Sequence, residues 1–493
     1  MSMNTIAFDL GGSGGKVFLG SYSGSRLSVQ KVHSFKNSST AINDSLFWNI
    51  ISIYSNLLEG IQKASAQSCG RISSAGLDSF SNDFGLIDVC GDLLSPVHCY
   101  RDGRTTRYRQ QIDRVMPPKQ RHRLSGNQVA PSNTLMHLAS MVQAGQTFML
   151  QNAYKMLLVP DLLIQFLTGQ AVSEYTISSV SEMYDFEKKS WNRKILSAYQ
   201  IPESLLAPIV FPGTFVGGVK KQLCDSLHIS SFPVVSVCEH DTASAYLSAP
   251  CTGDCAIISS GTWSLVGTEV SSPIISEYTY RYNIANEGGY QGSHHRMVKS
   301  IMGLWILQEV QSCLASQNHS LTFDELAELA RGAKPFAFLI DPDDIAFFRP
   351  GNMPQKIQEK CREKYGAMPE SIGEIVRCVL ESLALKYRWA IECLERVTDK
   401  QLPVIHIVGG GSQDEFLCQL AADASNKPVV AGPADATAFG NIMVQLIAHG
   451  ELSGIEEGRK LIRLSSDIRQ YTPRQPEIWD EVYEDFKTRY QLP

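Results

Sequence analysis

Two predicted strands joined by a glycine-rich turn restrict most strongly how the start of this chain can fold. Residues 5–10 are an apolar run, Gly11-Gly-Ser-Gly-Gly15-Lys16 follows, and residues 17–22 are a second apolar run. Because the turn joins strand to strand, a dinucleotide-binding fingerprint is excluded, since that motif leads into a helix. A Walker A loop is also excluded, because Lys16 is followed by Val17 and not by Ser or Thr. The segment therefore predicts a β-hairpin.

The glycine-rich turn also predicts a binding site for an anion. Its backbone N–H groups, from Gly11 to Gly15, can form a concavity around a negatively charged group, and Lys16 adds a cation. Asp9, near the end of the first strand, is available to bind a metal ion. The alternative is a tight turn that uses glycine only for backbone conformations with positive φ.

A second strand–turn–strand segment occurs about half a chain later. Cys255 begins an apolar run, Gly261-Thr262-Trp263 turns the chain, and Val270 ends the next run. The repetition predicts a duplicated, two-domain architecture, and 493 residues are too many for one hydrophobic core. We expect an N-terminal domain over residues 1–247, a C-terminal domain over residues 248–450 and a helical extension over residues 451–493.

Composition limits the partners of the chain. It is 43% hydrophobic and 19% charged, as folded globular proteins are, and its net charge of −6 comes without the basic stripe that nucleic-acid binding needs. No signal-peptide pattern or long apolar run is present, so we expect a cytoplasmic protein without a membrane partner. The 12 cysteines are expected to be reduced; Cys251 and Cys255 are the closest pair, and no further ligand at metal-binding spacing accompanies them. The oligomeric state stays open.

A carboxylate near the middle of the chain is a candidate catalytic residue. A β-branched run that starts at Val234 ends near Asp241, and small residues then open a predicted helix. Asp241 would therefore lie at the carboxyl end of a strand and beside a helix N-terminus, where α/β proteins carry their chemistry. The alternative is that Asp241 and Thr242 only cap the helix by accepting hydrogen bonds from its first N–H groups.

Two further polar segments lie between predicted elements. Asp78, Asn82 and Asp83 fall in a connection between strands, which suits recognition of a polyol, unless each Asp only forms an Asx-turn. Gly409-Gly-Gly411 follows a buried strand and opens a helix predicted from about Asp414. A nucleotide phosphate or ribose can lie against such a helix N-terminus, although close strand–helix packing also needs glycine.

Hydrophobic periodicity predicts the longer elements. Helices are expected over residues 43–66, from Lys299 to about residue 310, over residues 373–397 and near residues 477–490. The third of these is the longest amphipathic run. Residues 336–340 are expected to form a strand.

Seven short motifs occur in order between residue 5 and about residue 445. They are Asp9-Leu-Gly-x-Ser-x-Gly, Tyr100-Arg-Asp-x-Arg-Thr, His240-Asp-Thr-Ala-Ser-Ala, Ser259-Ser-Gly-Thr-Trp-Ser-Leu, Asn286-Glu-Gly-Gly, Ile301-Met-Gly-Leu-Trp-x-Leu-Gln and His406-Ile-Val-Gly-Gly-Gly. Together they resemble the FGGY carbohydrate kinases. Within that family the resemblance is greatest to the branch that phosphorylates L-rhamnulose.

The resemblance implies an α/β, two-domain fold of the actin-like ATPase (ribonuclease H-like) type, with ATP and the sugar in the interdomain cleft. The implied reaction is phosphorylation of the C1 hydroxyl of L-rhamnulose by ATP with Mg²⁺. One alternative is a kinase for another ketose, with L-fuculose before L-ribulose or D-xylulose. Another is a non-catalytic sugar- or nucleotide-binding regulator on the same fold.

The resemblance also implies roles for single residues. Asp241 matches the catalytic base, which takes the proton of the sugar hydroxyl. The positions expected to contact ATP are Gly12, Ser13, Gly14, Gly15, Lys16, Thr262, Gln308 and Gly410. The expected sugar-site positions are Ser81, Asp83, His240, Asp241, Thr242 and Ser300. Asp9 keeps the metal-binding position predicted above.

Two sugar-site positions depart from the pattern of the L-rhamnulose kinases. Where these read Asp-Thr-Trp-Gly-Val-Asp, this chain has Asp78-Ser-Phe-Ser-Asn-Asp83, so Ser81 replaces a glycine. Where they read Lys-Asn-Ile-Met-Gly, this chain has Ser300 after Lys299, which loses an amide that would bind sugar hydroxyls. A site built around particular hydroxyls discriminates strongly, so these changes bear on the choice of ketose. The ATP site and Asp241 are unaffected.

Overall fold

The computed structural model describes residues 3–292 and 294–493. The strands are β1 (Met3–Leu10), β2 (Gly14–Tyr22), β3 (Leu27–Lys36), β4 (Ser39–Ile42), β5 (Ser45–Trp48), β6 (Ser74–Ser79), β7 (Phe84–Ile87), β8 (Lys155–Leu158), β9 (Ser173–Glu174), β10 (Tyr184–Asp185), β11 (Ser190–Trp191), β12 (Ile209–Val210), β13 (Thr214–Gly218), β14 (Pro233–Ser236), β15 (Ala256–Ser260), β16 (Trp263–Val270), β17 (Ala285–Gly288), β18 (His295–Met302), β19 (Ile405–Val408), β20 (Val429–Ala431) and β21 (Arg469–Tyr471).

The α-helices are α1 (Ile50–Gln67), α2 (Arg104–Arg107), α3 (Arg109–Val115), α4 (Pro118–Ser125), α5 (Thr134–Gln143), α6 (Thr147–Asn152), α7 (Val159–Thr168), α8 (Tyr175–Ser179), α9 (Arg193–Ala198), α10 (Lys221–Leu227), α11 (Asp241–Ser248), α12 (Glu277–Tyr282), α13 (Trp305–Ser316), α14 (Phe323–Gly332), α15 (Met353–Tyr365), α16 (Ile372–Thr398), α17 (Glu415–Ser425), α18 (Ala436–Ala448), α19 (Ile455–Ser465) and α20 (Pro476–Arg489). Short 3₁₀ helices occur at Glu203–Leu205, Tyr290–Gly292, Ile345–Phe347 and Gly410–Gln413. No helix in the described residues is long and apolar enough to cross a bilayer.

The chain forms two compact units, each built from separate segments. The first contains the chain up to Ser248 together with Val270–Met297 and Thr437–Ser465. The second contains Ala249–Glu269, Val298–Ala436 and Ser466–Pro493. The sequence-based domain boundaries at residues 247 and 450 stay a prediction.

The main sheet of the first unit has the strand order β13-β14-β6-β1-β2-β3. β14, β6 and β1 are parallel, whereas β1 and β2 form an antiparallel hairpin. The carboxyl ends of the three parallel strands therefore lie at the same edge of the sheet. Beyond these ends, Ser79 pairs with His240 in a parallel bridge, which brings the two following segments side by side.

Helix α1 covers this sheet, and its start differs from the prediction. Its buried residues Ile53, Leu57 and Ile61 recur at helical spacing, so one face packs into the core. The helix was expected from residue 43, but Ser45–Trp48 pairs with β4 as a strand, and the Asn49 side chain caps α1 by accepting from Ser52 N–H over 3.1 Å.

The second unit contains strands in the order β18-β16-β15-β19-β20-β21. β15 and β16 form an antiparallel hairpin, and β15, β19 and β20 are parallel. The predicted longest helix is confirmed as the 27-residue α16, which begins with a capping box between Ser371 and Glu374. The predicted last helix is confirmed as α20.

Two predictions in this unit are wrong. Lys299 lies in β18, and α13 begins only at Trp305, because Gly303 turns the chain where a Cβ would lie 2.6 Å from the Ser264 nitrogen. Residues 336–340 form no strand. Their N–H groups at Phe336 and Ile340 instead donate to side chains of α16, over 2.8 and 2.9 Å.

Candidate active site

The predicted first hairpin is present, and its glycines are needed for close packing. Gly11 N–H donates to the Gly14 carbonyl over 2.8 Å and closes the turn. A Cβ on Gly14 would lie 2.8 Å from the carbonyl oxygen of Phe35 on β3. None of the glycines at positions 11–15 has positive φ. The alternative that these glycines serve only positive φ is therefore wrong. Ser13 is exposed at the tip, Gly12 and Gly14 are partly buried, and Gly15 is buried.

Three carboxylates approach one another at the carboxyl edge of the first sheet. Asp9, which faces Lys16 across the hairpin, is the register partner of Asp78 on β6. Burial raises the pKa of Asp78 well above its usual range, and the charges of Asp9 and Asp241 raise it further, against the hydrogen bond from Asn441. Oδ1 of Asp78 has no hydrogen-bond partner among the described residues. A buried carboxylate oxygen of this kind, beside two more carboxylates, fits a hydrated Mg²⁺, which prefers oxygen ligands and keeps several waters.

Asp241 is the first residue of α11. Its Oδ1 accepts hydrogen bonds from the Thr242 N–H over 2.5 Å and the Thr242 hydroxyl over 3.0 Å. Its side chain is still 32% exposed. Burial raises the pKa of Asp241 above its usual value, although His240, Thr242 and Arg296 oppose the shift. Asp241 thus accepts from one N–H at the helix start and still presents part of its carboxylate. Its catalytic role and the capping alternative both stay predictions.

Two charged side chains that were not predicted from the sequence, Glu287 and Arg296, hold His240 beside Asp241. His240 Nε2 lies 3.6 Å from Asp241 Oδ1, and His240 Nδ1 lies 3.4 Å from Glu287 Oε2. Arg296 Nη2 lies 3.0 Å from Glu287 Oε2 and 3.2 Å from His240 Nδ1. Burial opposes ionisation of Glu287, but Arg296 and His240 outweigh it and lower the pKa of Glu287. Nη1 of Arg296 has no hydrogen-bond partner in the described part of the chain.

Of these two missed residues, only one carried a signal in the sequence. Glu287 belongs to the Asn286-Glu-Gly-Gly motif, which could have marked it as a site residue. Arg296 is a single basic residue in β18 and carried none.

Three buried acids support the backbone that leads to Asp241. The Glu174 carboxylate caps α8 by accepting from Thr176 N–H over 2.7 Å, and it also accepts from Glu239 N–H over 3.2 Å. Glu174 N–H donates to Asp161 over 2.9 Å. Burial raises the pKa of Glu174 to about 7 and those of Asp161 and Glu239 well above their usual range. No sequence pattern indicates this cluster, because its members come from three separate segments.

Asp83 is anchored in the interior of the first unit. Its Oδ2 accepts from the Trp48 indole N–H over 2.5 Å and from Tyr100 N–H over 2.9 Å. Burial raises the pKa of Asp83 to about 7, against these hydrogen bonds. The Asx-turn alternative is therefore wrong for Asp83, and also for Asp78, whose partner is the Asn441 side chain. Ser81 is partly buried.

The predicted nucleotide residues Thr262 and Gln308 are neighbours in the second unit. Thr262 Oγ1 donates to Gln308 Oε1 over 3.3 Å. Trp305 N–H donates to the Thr262 carbonyl over 3.1 Å, so α13 starts directly on the turn of the second hairpin. Ser300 lies in β18 of the same unit and is partly buried. The remaining predicted sugar-site residues belong to the first unit.

The helix predicted from about Asp414 after the three glycines is confirmed as α17, which begins at Glu415. The glycines lead into it through a 3₁₀ helix, Gly410–Gln413. The Asp414 side chain caps α17 by accepting from Leu417 N–H over 2.9 Å. Gly410 is exposed, and a Cβ there would meet no atom within 4 Å.

Comparison with known protein families identifies the class of this molecule. Residues 4–248 match the N-terminal domain of the FGGY family of carbohydrate kinases, and residues 256–449 match its C-terminal domain. The chain therefore belongs to the FGGY family of carbohydrate kinases.

Similar proteins cover nearly the whole chain. It is 34% identical over 488 residues to rhamnulokinase of Bacteroides thetaiotaomicron, covering 99% of both chains. It is 34% identical over 469 residues to rhamnulokinase of Bacillus subtilis, covering 95% of both. The structure of ligand-bound xylulose kinase from Lactobacillus acidophilus superimposes with a TM-score of 0.82 at 15% identity, covering 99% of both chains. That of Plasmodium falciparum glycerol kinase with ADP has a TM-score of 0.77 at 15% identity, covering 99% of this chain and 97% of the other. The predicted α/β, two-domain actin-like ATPase fold is confirmed.

Proposed function

We propose that this chain transfers the γ-phosphoryl group of ATP to the C1 hydroxyl of L-rhamnulose. The observation that carries the proposal is the similarity to curated rhamnulokinases at 34% identity over 99% and 95% of this chain. Neither the family nor these relatives favour the alternatives of another ketose or of a non-catalytic regulator.

Asp241 is the proposed general base. Phosphoryl transfer passes through a loose transition state, so alignment and charge stabilisation matter more than a strong base. A partly exposed carboxylate with a raised pKa suits proton acceptance, because its pKa is closer to the working pH than that of an ordinary aspartate. His240, held by Glu287 and Arg296, lies beside Asp241 and is proposed to orient a sugar hydroxyl together with Thr242.

Asp9 and Asp78 are the proposed holders of Mg²⁺, with water molecules completing its shell. When bound, Mg²⁺ neutralises negative charge on the phosphate oxygens. The unpartnered Oδ1 of Asp78 and the register pairing of Asp9 with Asp78 support this assignment.

The two hairpins are the proposed phosphate-binding elements. In the first unit, the N–H groups of residues 12–15 are proposed as donors and the Lys16 side chain as a positive charge. In the second unit, Thr262 is proposed to contact a phosphate, and Gln308 and the open Gly410 are proposed to contact the rest of the nucleotide. Ser81, Asp83 and Ser300 complete the proposed sugar contacts.

A ketose panel tests this function. ADP release is measured with Mg²⁺-ATP and each of L-rhamnulose, L-fuculose, L-ribulose and D-xylulose. We expect the highest kcat/KM with L-rhamnulose. A higher kcat/KM with another ketose would overturn the substrate assignment, and absence of sugar-dependent ADP release with all four would overturn the kinase assignment.

A further inference from the structure

Two cysteines and a histidine lie together in the second unit. Sγ of Cys251, Sγ of Cys255 and a ring nitrogen of His406 all lie within 4.8 Å of one another, and all three side chains are buried. The two sulfur atoms are 2.8 Å apart. Within the described residues this is the only group of three histidine, cysteine or acidic side chains with such proximity.

The sheet places two of these side chains on one face. Ile257 on β15 is the register partner of His406 on β19. Cys255 precedes Ile257 by two residues, and side chains two apart along an extended chain point to the same side. The backbone around Cys255 is held on both sides, because Thr268 Oγ1 donates to its carbonyl over 2.8 Å and Ala256 N–H donates to the Val404 carbonyl over 2.9 Å.

The cluster lies at the opposite end of the parallel strands from the proposed nucleotide residues. His406 is the second residue of β19, whereas Gly410 follows the end of that strand. Cys255 precedes β15, whereas Thr262 follows it. The cluster is therefore separate from the nucleotide residues proposed in the second unit.

We propose that Cys251, Cys255 and His406 bind one Zn²⁺ ion, with water as the fourth ligand. Cysteine sulfur and histidine nitrogen are the ligands that Zn²⁺ prefers. Two sulfurs on one tetrahedral zinc lie about 3.8 Å apart, given Zn–S bonds of about 2.3 Å. The two sulfur atoms, 2.8 Å apart in the structure, would therefore move apart by about 1 Å to bind zinc. A zinc ion would use all three side chains, whereas a disulfide would use only the two sulfurs.

The charges of such a site balance. Two thiols lose their protons when they bind Zn²⁺, and the resulting two thiolates neutralise the two positive charges of the ion. A neutral group of this kind can be buried at low cost, whereas a single buried charge cannot. Binding also joins the loop after α11, which carries Cys251, to strand β19.

Zinc binding by the full-length protein tests the proposal independently of kinase activity. The protein is reduced, freed of metal with a chelator and titrated with Zn²⁺, and retained zinc and released protons are counted. We expect one zinc per chain and about two protons per zinc. Replacement by Co²⁺ should give a near-ultraviolet thiolate-to-cobalt absorption band. A reduced protein that retains no zinc would overturn the proposal.

Variants assign the ligands. We expect Cys251→Ser and His406→Gln each to weaken zinc binding more than about 100-fold, since even the outer partners of metal ligands cost about 10–100-fold. Cys361→Ser is the matched control, because Cys361 is also a buried cysteine with its sulfur 3.9 Å from that of Cys378. Circular dichroism checks that each variant is folded. If His406→Gln unfolds, Cys251→Ser still tests the proposal, because it changes one atom in a loop. Equal zinc binding by Cys251→Ser and the unchanged protein would contradict the assignment.

Discussion

Asn441 donates a hydrogen bond of 2.7 Å from its side-chain nitrogen to Oδ2 of the buried Asp78. One turn later on α18, Gln445 donates to the Asn441 side-chain oxygen over 2.8 Å and to the Ile6 carbonyl over 3.0 Å. A helix from the last quarter of the chain thus supplies the polar partners of strands β1 and β6. The carboxylate proposed to hold Mg²⁺ depends on this helix for its position.

Removal of this partner should therefore destabilise the first unit. We expect Asn441→Ala to lower the free energy of unfolding by about 1–3 kcal/mol, because a buried acceptor on Asp78 loses its donor. Urea denaturation followed by fluorescence measures the change. Asn152→Ala, at an exposed position of α6, is the control and should change stability little. Equal losses in the two variants would contradict the role given to Asn441.

Replacement of the proposed base should abolish most turnover without loss of binding. Asp241→Asn keeps the shape of the side chain but cannot accept the hydroxyl proton, so we expect kcat to fall by about 10²–10⁴-fold. ATP and sugar dissociation constants, measured by calorimetry, should change little. Asp225→Asn, at an exposed position of α10, should retain full turnover. Near-normal kcat in Asp241→Asn would leave Asp241 with helix capping only.

The pH dependence of turnover should report the raised pKa of Asp241. Because burial raises this pKa, the fraction of ionised base starts to fall at a higher pH than for an ordinary aspartate. We expect kcat/KM to decrease on acidification with an apparent pKa above the usual aspartate value of 3.8. The measurement is kcat/KM across the acidic range, with stability checked at each pH. An apparent pKa at or below 3.8 for the loss of kcat/KM in acid would contradict the proposed environment of Asp241.

Asp83 should make stability depend on pH in a direction unusual for an aspartate. Its pKa is about 7 in the folded chain and 3.8 as an ordinary aspartate, so the folded state binds more protons between these values. The contribution of Asp83 to the free energy of unfolding is therefore largest below about pH 4 and falls until about pH 7.

The Asp83→Asn variant isolates this effect, since an amide does not titrate. We expect its stability relative to the unchanged protein to rise between pH 4 and pH 7 and then to level off. Denaturation midpoints across this range measure it, and the exposed Asp92→Asn is the control. Parallel stability curves for Asp83→Asn and the unchanged protein would show that Asp83 does not carry the raised pKa.

A methyl group in the first hairpin should impair ATP binding. Gly14→Ala places a Cβ 2.8 Å from the Phe35 carbonyl oxygen, so the turn must shift away from β3. We expect KM for ATP to rise about 10-fold or more, since small misplacements at such a site are costly. Gly103→Ala, where a Cβ meets no atom within 4 Å, should have normal kinetics. An unchanged KM in Gly14→Ala would remove the first hairpin from the nucleotide site.

Local sequence patterns predicted the parts of the fold that local chemistry determines. The hairpin around Gly14 and the helix around residues 373–397 follow from glycine content and apolar spacing, and both are present. The predicted start of α13 was wrong because the apolar run across Gly303 suits a strand and a helix equally. Packing of Gly303 against Ser264 decides between them. The seven motifs identified the family correctly.

Local sequence patterns did not predict the long-range contacts. Arg296, Asn441 and the buried Glu174 act through partners far along the chain, and no spacing rule connects such positions. Cys251 and Cys255 were noted as a close pair, but His406 joins them only because β19 lies next to β15. These groups become visible only once the strand order is known.

The division of the first unit into separate segments has a consequence for its biogenesis. The strands of its main sheet are synthesised before Ser248, but α18 and α19 are not complete until Ser465. At a translation rate of about 5–20 residues per second, roughly 10–40 s pass between synthesis of the last of those strands and synthesis of Asn441. Asp78 lacks its hydrogen-bond donor during this time. A nascent first unit therefore exposes the face that α18 later covers, and a chain stopped before Thr437 keeps it exposed. Ribosome-bound chains ending before and after α18 should differ sharply in protease resistance.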